Sequence, residues 1–95
     1  MNQTKPVKKH VYISGRVQGV GFRSFLKSNA ARIGINGWVK NLPDGRVEAV
    51  FAGEKEKVAR ILQLAKEGPA WARVDNIEEE DQPYKNDYNG FKIKF

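Results

Sequence analysis

The spacing of apolar residues along this chain switches between two periods, and the order of the switches limits the fold more than any other feature. His10 to Val17 alternates and is rich in β-branched and aromatic residues, as a strand requires. Phe22, Phe25, Leu26, Ala30 and Ile33 then recur at i, i+3, i+4, i+8 and i+11, the spacing of one helix face. Gly34 is placed to close that helix. Ile35 to Asn41 and Arg46 to Ala52 read as strands, with Val47, Ala49 and Phe51 on one face of the second. Leu42-Pro43-Asp44-Gly45 between them is a tight-turn sequence, so the pair is a predicted hairpin. Gly53 breaks the chain, and Val58, Ile61, Leu62 and Ala65 stripe a second helix opened by Glu54 and Glu56 and ended by Gly68-Pro69. Val74 to Glu79 reads as a fourth strand, and the acidic run Glu78-Glu79-Glu80-Asp81 as its end passing into a solvated loop. Phe91, Ile93 and Phe95 alternate with Lys92 and Lys94 in a short fifth strand.

The resulting order, β-α-β-β-α-β with an additional short C-terminal strand, is the split βαβ or ferredoxin-like arrangement. It is an α+β sandwich with two helices on one face of an antiparallel-rich sheet. A length of 95 residues is one domain, here residues 7–95 behind a polar N-terminal tail, 1–6. The fold hosts many unrelated activities, so function must be argued from a site.

Composition narrows the chemistry. There is no cysteine, which excludes a thiol nucleophile, a disulfide and a thiolate metal site. That composition fits a reducing compartment, and the cytoplasm is the default. No apolar run approaches the roughly 18 residues of a membrane span, and the N-terminal stretch lacks the apolar block of a signal peptide. Seventeen basic residues against 11 acidic ones leave a formal charge of +6. A basic surface attracts anions. A nucleic acid, an acidic membrane, a small phosphorylated molecule or mere solubility all fit that charge, and composition does not choose among them.

The candidate site is Gly15 to Arg23, GRVQGVGFR. Glycines at 15, 19 and 21 allow the backbone to turn sharply and its N–H groups to converge, and such a nest binds an anion. The helix that follows adds its unpaired N–H groups and its dipole. Arg23 in the first helical turn opposes that dipole unless an anion sits beside it, and its fork can grip two phosphate oxygens. The segment is neither a Walker A loop nor a dinucleotide fingerprint: Val20 stands where the former needs Gly, and Ser24 where the latter does. A glycine-rich connection with an exposed arginine is the plainer alternative. A strand–helix–strand crossover returns the chain to the same end of the sheet, which brings Asn41 near this loop. An amide there can hold a water beside a bound phosphate, or can simply start the turn that follows. His10 precedes the loop and is expected to be structural or exposed. Trp38, Trp71 and Phe22 are expected in the core or a pocket wall.

At GRVQGVGFR (15–23) and GWVKNLPDGRVE (37–48) the chain resembles the acylphosphatase family, and the likeness extends from about Val7 to Phe95. The resemblance implies a hydrolase that cleaves the carboxyl–phosphate bond of acyl phosphates. It implies that the backbone of Gln18, Gly19, Val20, Gly21, Phe22 and Arg23, with the Arg23 guanidinium, binds the phosphoryl group, and that Asn41 positions the attacking water. It implies no metal and no cofactor. Its partners would be a small acyl phosphate as substrate and inorganic phosphate as product and inhibitor, with no nucleic acid, no membrane and a monomeric state. An RNA-recognition domain shares the element order and the basic charge, but needs aromatic residues on its first and third strands. Here those strands offer Tyr12 and Phe51.

Overall fold

A computed structural model describes residues 5–95. The elements are β1 (Pro6–Arg16), α1 (Phe22–Ile33), β2 (Asn36–Asn41), β3 (Val47–Glu54), α2 (Lys55–Glu67), β4 (Arg73–Gln82) and β5 (Phe91–Ile93). The strands form one sheet in the order β4-β1-β3-β2-β5. β1 pairs antiparallel with both β3 and β4, and β2 pairs antiparallel with β3. β5 adds to the outer edge of β2 in parallel. The α+β ferredoxin-like reading and its extra strand are therefore the observed architecture. Among the described residues no helix is long and apolar enough to cross a membrane.

Both helices lie on one face of the sheet, and the core fills the space between. Val11 and Ile13 of β1, Val39 of β2 and Val47, Ala49 and Phe51 of β3 alternate inward and are fully buried. Leu26 and Ala30 of α1 and Val58, Ile61 and Ala65 of α2 meet them from the other side. These are the residues at helical spacing in the sequence. Gly34, with φ 96°, ends α1 and donates its N–H to the Ala30 carbonyl at 2.8 Å. The β2–β3 turn closes through the Gly45 N–H to the Leu42 carbonyl at 3.1 Å. The Asp44 carboxylate accepts from the Arg46 backbone N–H at 3.1 Å and from its Nε at 2.9 Å. Those bonds, the backbone one first, hold the Asp44 carboxyl below the usual carboxylate range.

Four expectations change. β1 starts at Pro6, ahead of His10. The acidic run does not pass into a loop: Glu78 to Asp81 all lie within β4. One cause explains both changes. Lys9 stands opposite Asp81 across the β1–β4 pair, and its Nζ lies 2.6 Å from Asp81 and 3.6 Å from Glu79. Opposite charges on facing strands support the pairing, and an edge strand tolerates carboxylates that a central strand would not. Trp71 is neither core nor pocket wall, being 78% exposed in the connection after α2. Phe95 lies beyond the end of β5 and outside the ladder. Phe22 is buried as expected, and Trp38 is half-buried on the sheet face away from the helices.

Ile61 is fully buried where α2 faces the sheet. Ile61→Ala should lower the unfolding free energy by roughly 2–5 kcal/mol through lost burial and a residual cavity, read as a lower denaturant midpoint with an unchanged slope. A loss within a few tenths of a kcal/mol would mean that α2 is not packed as described.

Candidate functional site

The segment between β1 and α1 is held at both ends by the core. Val17 is 1% exposed and Phe22 is 2% exposed, while Gly19 and Gly21 between them are exposed. Gly19 and Gly21 take left-handed conformations with φ 73° and 77°, which side chains rarely adopt. A Cβ at either position would meet no heavy atom within 4 Å. Packing therefore does not demand these glycines. The backbone turn does, and the space beside them is open.

Gln18 fastens the segment to the far side of the site. Its Nε2 donates to the Leu42 carbonyl at 2.8 Å and to the Arg46 carbonyl at 3.0 Å, across to the β2–β3 turn. Val20 packs partly against the core. Neither Gln18 nor Val20 lines the cavity that the neighbouring Gly19, Gly21, Phe22 and Arg23 share with Asn41. Gly21 is the N-cap of α1 and brings no capping side chain, and the first turn carries no acidic residue. The first intrahelical bond runs from the Phe25 N–H to the Gly21 carbonyl at 3.0 Å. The amides of the first turn and the positive end of the helix dipole therefore face the opening without an internal anion.

Arg23 projects from that first turn. No carboxylate lies within ion-pair distance of it among the described residues. Its guanidinium lies over the Phe95 ring, 5.2 Å from the centroid, a cation–π contact that steadies it without neutralising it. Asn41 is the last residue of β2. β1 and β2 both run antiparallel to β3, so their C-terminal ends share one end of the sheet. The Asn41 Oδ1 is buried and has no hydrogen-bond partner.

Gly19, Gly21, Phe22, Arg23 and Asn41 line one cavity of about 210 Å³. Ser24 joins them, and Ile93 and Phe95 form an apolar flank. The alternation of Ile93 and Phe95 marks a strand in the sequence, but nothing local in it says that β5 docks beside β2 and delivers them here. A larger depression of about 800 Å³ lies along α2 and β1, lined by Val7, Val58 and Leu62 with lysines around them. It contains neither the glycine segment nor Asn41. His10 lies elsewhere, on the far sheet face, 2.6 Å from Glu48.

The family model described as Acylphosphatase matches residues 9–93. The chain is 50% identical over 92 residues to an acylphosphatase of Rubrobacter xylanophilus, covering 97% of this chain and 82% of that one. The structure is similar to that of an acylphosphatase from Coxiella burnetii, with a TM-score of 0.90 and 36% identity over 99% of this chain and 100% of that one. It is equally close to the crystal structure of acylphosphatase from Bacillus subtilis, with a TM-score of 0.90 and 31% identity over 94% and 99% of the two chains. A glycine cradle, an unneutralised arginine and an orphaned amide oxygen thus sit on a chain that matches these proteins over nearly its full described length. The chain belongs to the acylphosphatase family, the hydrolases of acyl phosphates.

Proposed function

We propose that this cavity is the active centre, that the backbone of Gln18 to Arg23 with the Arg23 guanidinium binds the phosphoryl group, and that Asn41 holds the attacking water. The observation that carries the reading is that Asn41, whose buried Oδ1 has no partner, lines the same cavity as Arg23. A buried acceptor left unpaired costs about 1–3 kcal/mol. An Oδ1 that accepts a hydrogen bond from a water regains that energy, and it turns the water's lone pair toward phosphorus.

The remaining chemistry needs few groups. The leaving group is a carboxylate whose conjugate acid has a pKa of about 4, so it departs without a proton from the protein. The transition state of phosphoryl transfer is loose, and positioning and charge stabilisation supply most of the rate. The phosphoryl oxygens meet the loop amides, the first-turn amides of α1 and the fork of Arg23. Water attacks phosphorus from the Asn41 side, the bond to the acyl oxygen breaks, and a carboxylate and inorganic phosphate leave. All these groups come from one chain, which supports a monomeric enzyme. The cysteine-free composition supports a reducing compartment such as the cytoplasm.

Arg23 and Asn41 should fail differently. Arg23→Ala removes the countercharge of a bound dianion and should weaken phosphate binding and turnover together. Arg23→Lys should restore little, because a point charge does not reproduce the fork. Asn41→Ala should leave phosphate affinity near parental while turnover on benzoyl phosphate falls by about 10²-fold or more. Normal turnover in Asn41→Ala would remove that residue from the mechanism.

Inorganic phosphate and sulfate should inhibit by raising the apparent Michaelis constant, since the cradle recognises the tetrahedral anion and the substrate's phosphoryl group alike. Steady-state rates at several phosphate concentrations measure this. An unchanged Michaelis constant with a falling maximal rate would place the anion at another site.

A further inference from the structure

We propose that the sheet face opposite the helices binds single-stranded nucleic acid, with bases stacked on Tyr12 and Trp38. Both helices cover the other face, and strand alternation turns these two rings and that of His10 outward. The His10 and Tyr12 rings stack with centroids 5.1 Å apart and planes 17° apart. Trp38 meets His10 edge-on at 5.8 Å. Val50 lies between His10 and Trp38 in the ladder and is 2% exposed although it points away from the helices. Tyr12 on β1 and Trp38 on β2 are thus two half-buried rings on either side of Val50, with His10 wedged between them, stacked on Tyr12 and perpendicular to Trp38.

Cations surround these rings. Lys94 Nζ lies 4.3 Å and Lys40 Nζ 5.8 Å from the Trp38 centroid, and Arg46 Cζ lies 4.9 Å from that of Tyr12. Lys92 faces Trp38 across the β2–β5 pair. A cation resting on a ring face occupies the place of a base. When a base arrives, Lys94, which has no carboxylate partner among the described residues, swings to the adjoining phosphate, while Arg46 stays paired with Asp44 at 2.9 Å. Glu48, the acid in the middle of the face, is hydrogen-bonded to His10 at 2.6 Å and lies 3.8 Å from Lys40 Nζ. Glu78 and Glu80 lie opposite Tyr12 and His10 on the β4 edge. They repel a polyanion at that edge and favour the β3–β2–β5 side, where Trp38, Lys92 and Lys94 lie. A basic rim around sequence-tolerant stacking surfaces is what binding of single strands requires, and four-stranded sheets of this order stack two or three bases in RNA-recognition domains.

Of the aromatic residues on the first and third strands, Tyr12 lies on this face, whereas Phe51 faces the core, stacked on Phe91 at 5.8 Å, and contributes nothing here. Trp38 on β2 supplies the second ring. Neither Tyr12 nor Trp38 lines the cavity that holds Arg23 and Asn41, so this inference stands apart from the proposed active centre.

The test is fluorescence anisotropy of a short labelled oligouridylate with the full chain at low salt. Binding should saturate, and Trp38→Leu and Tyr12→Leu should each weaken it by roughly tenfold or more. Trp38→Leu keeps an apolar cover on Val50, and its benzoyl phosphate turnover should stay parental, which certifies the fold. Lys94→Ala should reduce the slope of log affinity against log salt by roughly 0.7. In a Trp71→Phe background the remaining tryptophan emission, from Trp38, should be quenched by the oligonucleotide. Absence of saturable binding at low salt overturns the proposal, as does full affinity in both ring variants. Loss of binding in Arg23→Ala alone would put the backbone phosphates in the catalytic cradle. Trp38 emission that changes with protein concentration alone would mean that a second copy covers the face.

Discussion

Val17 and Phe22 are both buried in one core, while Gly19 and Gly21 between them are exposed. That constraint shapes everything at this end of the molecule. The chain leaves the interior, reverses and returns at the start of a helix. The left-handed turns at Gly19 and Gly21 make the reversal possible. The same reversal leaves backbone amides facing outward beside an uncapped helix terminus, which is the physical basis of anion recognition. The core thus does more than stabilise the domain: its two anchors set where the cradle opens.

The crossover topology supplies the second half of the site. Because β1 and β2 run the same way on either side of β3, the end of β2 arrives where the cradle opens. Gln18 ties the two together by donating to both ends of the β2–β3 turn. A single side chain therefore sets the spacing between the loop and the Asn41 strand end. The buried Asn41 oxygen has no hydrogen-bond partner among the described residues, and an orphaned acceptor of this kind calls for a functional explanation.

The sequence carried the helices and the site loop more legibly than the sheet's edges. The stripe Phe22 to Ile33 and the glycine at 34 mark α1 because periodicity and capping act locally. Motif likeness drew attention to Arg23 and Asn41, which the structure then brings to one cavity. What was not legible depends on distant pairing. Lys9 does not resemble a strand residue until Asp81 is placed opposite it. The acidic run of β4 looks solvated for the same reason. Ile93 and Phe95 reach the cavity only because β5 docks in parallel on β2. Gln18 was singled out for its backbone, while its side chain proves to be the tie across the site, a role that no local pattern announces.

The central claim is that loop amides, not a surface cation cluster, hold the phosphoryl group. It is tested most directly by following backbone amide resonances while inorganic phosphate is titrated into the protein. The account requires saturable downfield shifts concentrated at Gly19 to Ser24, all reporting one affinity, with the Asn41 side-chain amide responding at the same concentrations. Shifts that instead centre on the lysines around the 800 Å³ depression along α2, with residues 19–24 unmoved, would contradict it.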